Sequence, residues 1–454
     1  MNNGKICVSI CAETADAFIE KIKVAADIAD VIELRFDLLD YAETEKLLLK
    51  LKQIKKNTSK PFLAAMHNSA ESKIEGETLH LGAYNIWSRI LASNVVDYFD
   101  PFQNEISKIL LEEWSRKKSK SKIVNDAKNH IFIYSHHSFS KTPKNLELIF
   151  DQMIETPAQI VKIAVQANKA TDTIAIWNLL NNAKTENKKL IPIAMGEAGK
   201  WTRILGLAFG SPITYASLDD GNETAPGQIS AKDLIEVYRV KELNEQTEIY
   251  GIIGNPVSHS LSPYMHNAAF KHHNLNAVYI PFEVANLDEF IKRMVRPETR
   301  EIDWNLKGFS VTIPHKEAII KHLDFIDEDA KTIGAVNTVK IIDGKLHGYN
   351  TDAHGFIEPL RNSYGELNDT RVGIIGNGGA ARACVYALKK EGANVTIFAR
   401  NVKNAESIAT EFNVNLEEIK ALDSSNSALN LLVNTTPLGT MESLKMKLRR
   451  HRSK

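Results

Sequence analysis

Cysteine is scarce in this chain. Its three cysteines, Cys7, Cys11 and Cys384, form no Cys-x-x-Cys pair and no zinc-ligand spacing. That excludes a disulfide scaffold and points to reduced, structural thiols. Net charge is also missing, since 56 Lys and Arg balance 56 Asp and Glu. Without a basic excess, a nucleic-acid partner is not expected. No apolar run approaches the ~20 residues needed to cross a bilayer, so no membrane-spanning helix is expected. The first residues lack the apolar core of a signal peptide and the Arg/Ser-rich character of a transit peptide, and the expected location is the cytoplasm. No His/Cys/carboxylate cluster has metal-ligand spacing, so no metal is expected.

What is present is ordinary globular material: 454 residues, 43% hydrophobic and 25% charged, long enough for two or three domains with full cores. Strand-like runs alternate with amphipathic stretches over roughly the first half. They are 5–11, 31–39, 61–67, 95–102, 130–137, 159–166, 189–196 and 213–218. Eight such units match a (β/α)8 barrel in count and length, with a doubly wound sheet as the alternative. A barrel gathers function at the C-terminal ends of its strands.

One run stands out: Gln159-Ile160-Val161-Lys162-Ile163-Ala164-Val165-Gln166. A lysine inside a buried strand loses hydration, which disfavours the charged form, and a neutral amine can condense with a ketone. The bland reading is a lysine paired with a carboxylate at a strand end. Other polar residues fall at strand ends. Glu33, Arg35 and Asp37 share a face at period two, His136 and His137 close the fifth strand, Arg203 follows the seventh, and Thr224 to Gln228 follow the eighth.

A polar stretch, 241–248, leads to a new start at Ile249-Tyr250-Gly251-Ile252-Ile253-Gly254. Strand runs follow at 277–283, 308–313 and 337–342. Ser260 and Ser262 precede Pro263 near a helix start, where capping explains one serine and not the other. Lys316 follows Pro314 at an expected helix start, where a cation gains nothing from the helix dipole. Asp352, in Asn350-Thr351-Asp352, reads on spacing alone as a helix N-cap. Gly376-Asn377-Gly378-Gly379-Ala380-Ala381 follows a buried strand and opens a helix, a variant of the dinucleotide turn. The next strand ends at Arg400, where NAD-binding folds place an acid. An arginine there suits the 2′-phosphate of NADP, or is a solvated strand-end residue.

These segments together resemble two families. Ser260-x-Ser262, Val311-Thr312-Ile313-Pro314-His315-Lys316, Gly334-Ala335-Val336-Asn337-Thr338, Asn350-Thr351-Asp352, the Gly-rich turn and Asn434-Thr435-Thr436-Pro437-Leu438-Gly439 resemble shikimate dehydrogenase. Glu33-Leu34-Arg35, Ser135-His136-His137, Val161-Lys162-Ile163-Ala164, Met195 to Lys200 with Arg203, and Ala225-Pro226-Gly227-Gln228 resemble type I 3-dehydroquinate dehydratase. The resemblance implies a TIM barrel over 1–242, a substrate-binding domain over 248–352 and a Rossmann NADP-binding domain over 353–454. It implies Lys162 as the Schiff-base lysine and His137 as general acid/base, with Glu71 beside them. Ser9, Glu33, Arg35, His67, Arg203, Thr224 and Gln228 would hold the first substrate. Lys316 and Asp352 would be the catalytic pair of the second half, with Ser260, Ser262, Thr312 and Asn337 on substrate. Gly376, Asn377, Gly378, Gly379, Ala380, Ala399, Arg400, Asn401, Asn404 and Thr435 would contact NADP. The implied function is bifunctional: dehydration of 3-dehydroquinate, then NADPH-dependent reduction of the product to shikimate. The alternative is an active dehydratase with an impaired reductase half.

Several positions depart from the families' pattern. His67 stands where the dehydratases usually have arginine, although the following glutamate is kept as Glu71. Thr224 replaces a usual serine, Ser310 a common asparagine, and Ala399 an asparagine beside Arg400. Beyond Gly439 the basic run Lys445 to Lys454 matches nothing in the family, so the Rossmann domain is expected to be incomplete. Oligomeric state, channelling and preference for shikimate over quinate are left open.

Overall fold

The computed structural model describes residues 2–56, 58–66, 86–101, 130–219, 221–422 and 429–438. It divides into two compact units, residues 1–307 and 308–454.

The first unit opens with eight parallel strands: β1 (Lys5–Cys11), β2 (Val31–Arg35), β3 (Phe62–Ala65), β4 (Tyr98–Asp100), β5 (Ile131–Ser138), β6 (Ile160–Gln166), β7 (Leu190–Met195) and β8 (Ile213–Ala216). Their order is β7-β6-β5-β4-β3-β2-β1-β8, so β1 pairs with both β2 and β8 and the sheet curls into a nearly closed barrel. Amphipathic helices lie between strands, among them α1 (Ala15–Ile28), α2 (Tyr41–Lys55), α3 (Leu146–Ile154) and α4 (Thr173–Thr185). The interior follows the period-two rule of strands. Cys7, Val31, Leu63, Ile160, Ala164, Ile191, Ile193, Ile213 and Tyr215 form one inward-facing cluster. Ser9, Glu33, Arg35 and Lys162 have the same parity as these apolar neighbours, so the pleat that packs the core also aims the polar set inward.

No ladder joins β7 to β8 among the described residues. A short helix, α5 (Lys200–Leu205), is tied across that gap. Thr214 Oγ1 donates to the Arg203 carbonyl at 2.8 Å, and the Gly196 amide donates to the Pro226 carbonyl at 3.2 Å.

The first compact unit extends past the polar stretch at 241–248. It continues through β9 (Glu248–Gly254), α6 (Ser262–His272) and β10 (Ala277–Glu283), with β9 and β10 in a seven-residue parallel ladder. An aromatic seam joins barrel and β10. Trp201 of α5 lies 4.6 Å from Trp177, 5.4 Å from Trp304 and 6.5 Å from Phe282, ring centre to ring centre. Lys169 pairs with Glu289 at 2.7 Å, and Asn178 donates to the Glu301 carbonyl at 3.0 Å.

The second unit takes most of β11 (Leu306–Val311), then β12 (Phe325–Ile326), α7 (Glu328–Ile333), β13 (Thr338–Ile342) and β14 (Lys345–Tyr349). β13 and β14 form a hairpin around Asp343-Gly344, both with positive φ. That is the Asp-Gly turn whose twist suits a two-residue hairpin. The helix α8 (Asp352–Tyr364) leads to a four-stranded parallel sheet of β15 (Arg371–Ile375), β16 (Asn394–Ala399), β17 (Asn415–Glu418) and β18 (Leu431–Asn434), in the order β17-β16-β15-β18. Helix α9 (Gly379–Lys390) buries Ala381, Ala383, Val385, Ala387 and Leu388 against it.

Three expectations change. The second strand ends at Arg35, and Asp37 sits in a 3-10 turn over 36–38, so the shared face stops two residues early. Lys316 does not open a helix but lies in turns before a 3-10 segment over 318–322. The run from 345 is a strand, missed because its composition is polar and its partner strand had already been read alone.

Candidate active sites

At the C-terminal ends of the barrel strands, Ser9, Glu33, Arg35, His137, Lys162, Arg203, Thr224 and Gln228 line one cavity, together with Phe139, Met195 and Tyr215. Eight residues named from the sequence thus converge, drawn from four strands and the segments after β7 and β8. His67 and Glu71 lie outside the described residues. A roomier hollow of about 720 Å³ lies at the opposite end, around Lys5, Ile131, Gln159 and Lys189, but has no comparable convergence of buried polar groups.

Lys162 is 3% exposed, and its Nζ donates to the Asp100 carboxylate, which is fully buried at the end of β4. Its ammonium also lies 5.1 Å from the Tyr215 ring centre. The carboxylate pairing expected of a buried lysine is thus supplied by Asp100. Asp100 and Ser135, whose Oγ donates to Asp100 at 2.7 Å, were not named from the sequence.

Ser9 Oγ donates to Glu33, and burial pushes the Glu33 carboxyl above its ordinary range, against the lowering pull of Lys162 and Arg35. Arg35 is held by Asp37 through two parallel bonds of 2.8 Å. Its partner is thus Asp37 rather than Glu33. Burial holds His137 well below its usual value, and the charges of Lys162, His136 and Arg35 push it the same way. His137 stacks on Phe139 with ring centres 5.7 Å apart. Arg203 is 2% exposed and has no carboxylate partner among the described residues. Two carbonyls accept from it at 3.4 and 3.5 Å, its Nε has no acceptor, and burial draws it down to about 10. A buried guanidinium so poorly matched is suited to an arriving anion.

In the second unit, Lys316 Nζ donates to Asp352 Oδ2 at 2.5 Å, and Asn337 Nδ2 donates to Asp352 Oδ1 at 2.7 Å. The capping role expected of Asp352 is filled by Asn350, whose Oδ1 accepts from the Asp352 and Ala353 amides at 3.0 and 3.3 Å. Asp352 is left to bind side chains. Thr351 Oγ1 accepts from Asn337 Nδ2 at 2.9 Å, while Thr312 accepts the His315 amide on its carbonyl at 2.9 Å. Ser260 and Ser262 belong to the first unit, where Ser260 Oγ accepts the Ser262 amide at 3.2 Å at the start of α6.

The Gly-rich turn leads into α9, with Gly376 at φ 120°, a conformation that L side chains rarely adopt. A Cβ on Gly379 would stand 3.0 Å from the Lys316 Cβ, so only glycine lets the turn approach the Lys316–Asp352 pair this closely. A Cβ on Gly378 would meet nothing within 4 Å, which leaves the mouth of the turn open. Asn377 Nδ2 donates to the Asn404 carbonyl at 2.9 Å, and Thr435 Oγ1 to the Ile375 carbonyl at 2.8 Å, knitting the turn to its flanks. Ala399 ends β16 buried, and Arg400 follows exposed with no ion pair to a described residue. Open turn, helix N-terminus and free arginine fit a phosphorylated dinucleotide.

Comparison with known proteins decides between the possible identities. Residues 6–245 match the family model of type I 3-dehydroquinase, 252–339 that of the shikimate dehydrogenase substrate binding domain, and 359–437 that of shikimate / quinate 5-dehydrogenase. A bifunctional 3-dehydroquinate dehydratase/shikimate dehydrogenase of Arabidopsis thaliana is 32% identical over 96% of this chain and 72% of its own length. The chain belongs to this bifunctional family. A shikimate biosynthesis protein, AroDE, of Chlamydia pneumoniae is 28% identical over 89% of this chain and 78% of its own. A shikimate dehydrogenase (NADP(+)) of Methanocaldococcus jannaschii is 45% identical over 43% of this chain and 70% of its own. The family is one of lyase and NADP-dependent oxidoreductase activities joined in the shikimate pathway. Nothing in these matches favours an impaired second half. Among the described residues, no helix is long and apolar enough to cross a membrane.

Proposed function

We propose that the chain dehydrates 3-dehydroquinate in its barrel and reduces the product, 3-dehydroshikimate, with NADPH in its second half. The domains would run 1–242, 248–352 and 353–454. The observation that carries the first reaction is the convergence of eight residues on the cavity around Lys162. Lys162 condenses with the ketone, and the resulting iminium acidifies the neighbouring C–H. His137, kept neutral by its surroundings, removes that proton and later delivers one to the departing hydroxyl. Arg203 takes the carboxylate, while Ser9, Glu33, Arg35, Thr224 and Gln228 hold hydroxyls.

In the second half, Lys316 and Asp352 supply the proton to the carbonyl, and Asn337, Thr312, Ser260 and Ser262 hold the substrate. Gly376 to Ala380 would hold the pyrophosphate, with Ala399, Arg400, Asn401, Asn404 and Thr435 around the adenosine side. NADPH, when bound, supplies the hydride.

The test is one incubation with 3-dehydroquinate and NADPH, following the conjugated-enone absorbance of 3-dehydroshikimate beside NADPH loss. Low enone with falling NADPH supports both reactions. Accumulating enone with untouched NADPH sinks the reductase reading, and no enone with no NADPH loss sinks the dehydratase reading.

A further inference from the structure

Asp100 has no counterpart in the roles given above, yet it is the group in contact with the reacting nitrogen. It is fully buried at the last position of β4, and both Lys162 and Ser135 donate to it. Lys162 Nζ donates to one carboxylate oxygen and Ser135 Oγ to the other at 2.7 Å. Ser135 and Lys162 stand directly opposite each other in the β5–β6 ladder, so the register of two strands aims both donors at one acid. Lys162 lines the substrate cavity and Asp100 does not. The lysine nitrogen therefore has the cavity on one side and a carboxylate on the other. Glu33, the other buried acid, takes its hydroxyl donor from Ser9 instead.

We infer that Asp100 is a catalytic residue of the dehydratase site, accepting the proton that Lys162 sheds and then serving as counter-ion to the iminium. The inference rests on the reading of Lys162 as the Schiff-base lysine. The proton inventory closes. The ammonium of Lys162 gives one proton to the Asp100 carboxylate and becomes an amine. The amine nitrogen bonds to the ketone carbon, forming a carbinolamine. Asp100 returns its proton as the carbon–oxygen bond breaks, water leaves, and a cationic iminium remains beside an Asp100 carboxylate. Site charge is the same before and after, so no solvent ion need enter the site.

Burial makes this exchange feasible. Taking two charges out of water costs each several kcal/mol, which brings the neutral acid–amine pair nearer in energy to the ion pair than it would be in water. A carboxylate already fixed by Ser135 needs no reorganisation when positive charge develops on the nitrogen, which is where preorganised groups contribute most. Asp100 handles the nitrogen's proton and His137 the carbon's, and each carrier faces its own atom. A purely structural Asp100 would instead hold the lysine side chain in place and leave the chemistry unaffected.

The experiment uses the full-length chain carrying Asp100→Asn. Dehydratase kcat and KM are measured, with borohydride trapping of the lysine adduct formed from 3-dehydroquinate read by mass spectrometry. NADPH oxidation by the second half reports on folding. The expected result is a fall in kcat of about 10²-fold, with KM changed by less than about threefold and trapping reduced in parallel. The inference is overturned if kcat stays within about threefold of wild type, or if the loss lies in KM with trapping intact. Lys162→Ala separates the layers: dehydration persisting there sinks the Schiff-base reading itself. If Asp100→Asn does not fold, Ser135→Ala removes only the second donor. A fall in kcat of about tenfold is expected, and wild-type kcat overturns the inference.

Discussion

Asp352 is gripped on one oxygen by Lys316, at 2.5 Å, while the helix cap beside it is made by Asn350. The pair is partly exposed, with side-chain exposures of 16% for Lys316 and 33% for Asp352, so a substrate can reach it. Asp352→Asn should lower reductase kcat by about 10²-fold and leave dehydratase kcat unchanged. NADPH oxidation with 3-dehydroshikimate, beside the enone assay, checks both halves in one preparation.

Arg203 is a buried cation without an anion among the described residues. Replacing such a charge by an apolar chain of similar volume is often stabilising, by about 1–4 kcal/mol. Arg203→Met should therefore raise the melting temperature while raising dehydratase KM at least tenfold, since about 1.4 kcal/mol of carboxylate binding is worth that factor. A variant that melts lower with unchanged KM would remove Arg203 from the site.

His137 gives stability a pH dependence of definite sign. Its folded value lies below the 6.5 of an unperturbed histidine, mainly through burial. Below about pH 6.5 the unfolded chain therefore binds a proton that the folded chain refuses, and stability falls as pH falls. Glu33, pushed up by burial, acts in the opposite direction on the acid side of the scale. Comparison with His137→Asn isolates the histidine. Wild type should lose up to about 1.4 kcal/mol per pH unit relative to the variant below pH 6.5, measured by denaturant unfolding at pH 7.5 and 5.5.

Arg400 stands exposed just past β16 with no described ion-pair partner. Arg400→Ala should raise KM for NADPH about tenfold and leave KM for NADH little changed, because only the former carries a 2′-phosphate. Equal effects on both cofactors would place the arginine elsewhere than the phosphate.

Much of this was legible in the chain. The eight barrel strands were readable because each is a short apolar run between turn formers, and Lys5–Cys11 and Ala277–Glu283 have the bounds read from the sequence. Lys162 was legible because a charge interrupts such a run. Asp100 was not, because it ends its run, where an acid passes for a turn residue. Spacing alone made Asp352 a helix cap, and only the resemblance paired it with Lys316, because spacing cannot tell which of Asn350 and Asp352 turns its oxygen to the amides. Nor could the sequence show that Trp201 packs against Trp304, a contact that spans the polar stretch at 241–248.

The gap between β7 and β8 is where the barrel's ring of hydrogen bonds is interrupted, and α5 occupies it. Bonds from α5 to β7 and β8 stand there in place of ladder bonds, so any local opening of the ring at this point requires α5 to move. The same six residues carry Arg203 toward the cavity and Trp201 toward Trp304. Each transient opening would thus release the anion-binding group and loosen the seam with the next fold together. Substrate affinity in the first half is then drawn from the same local free energy that keeps the two folds joined, and a ligand holding Arg203 in place would slow amide exchange as far away as β10.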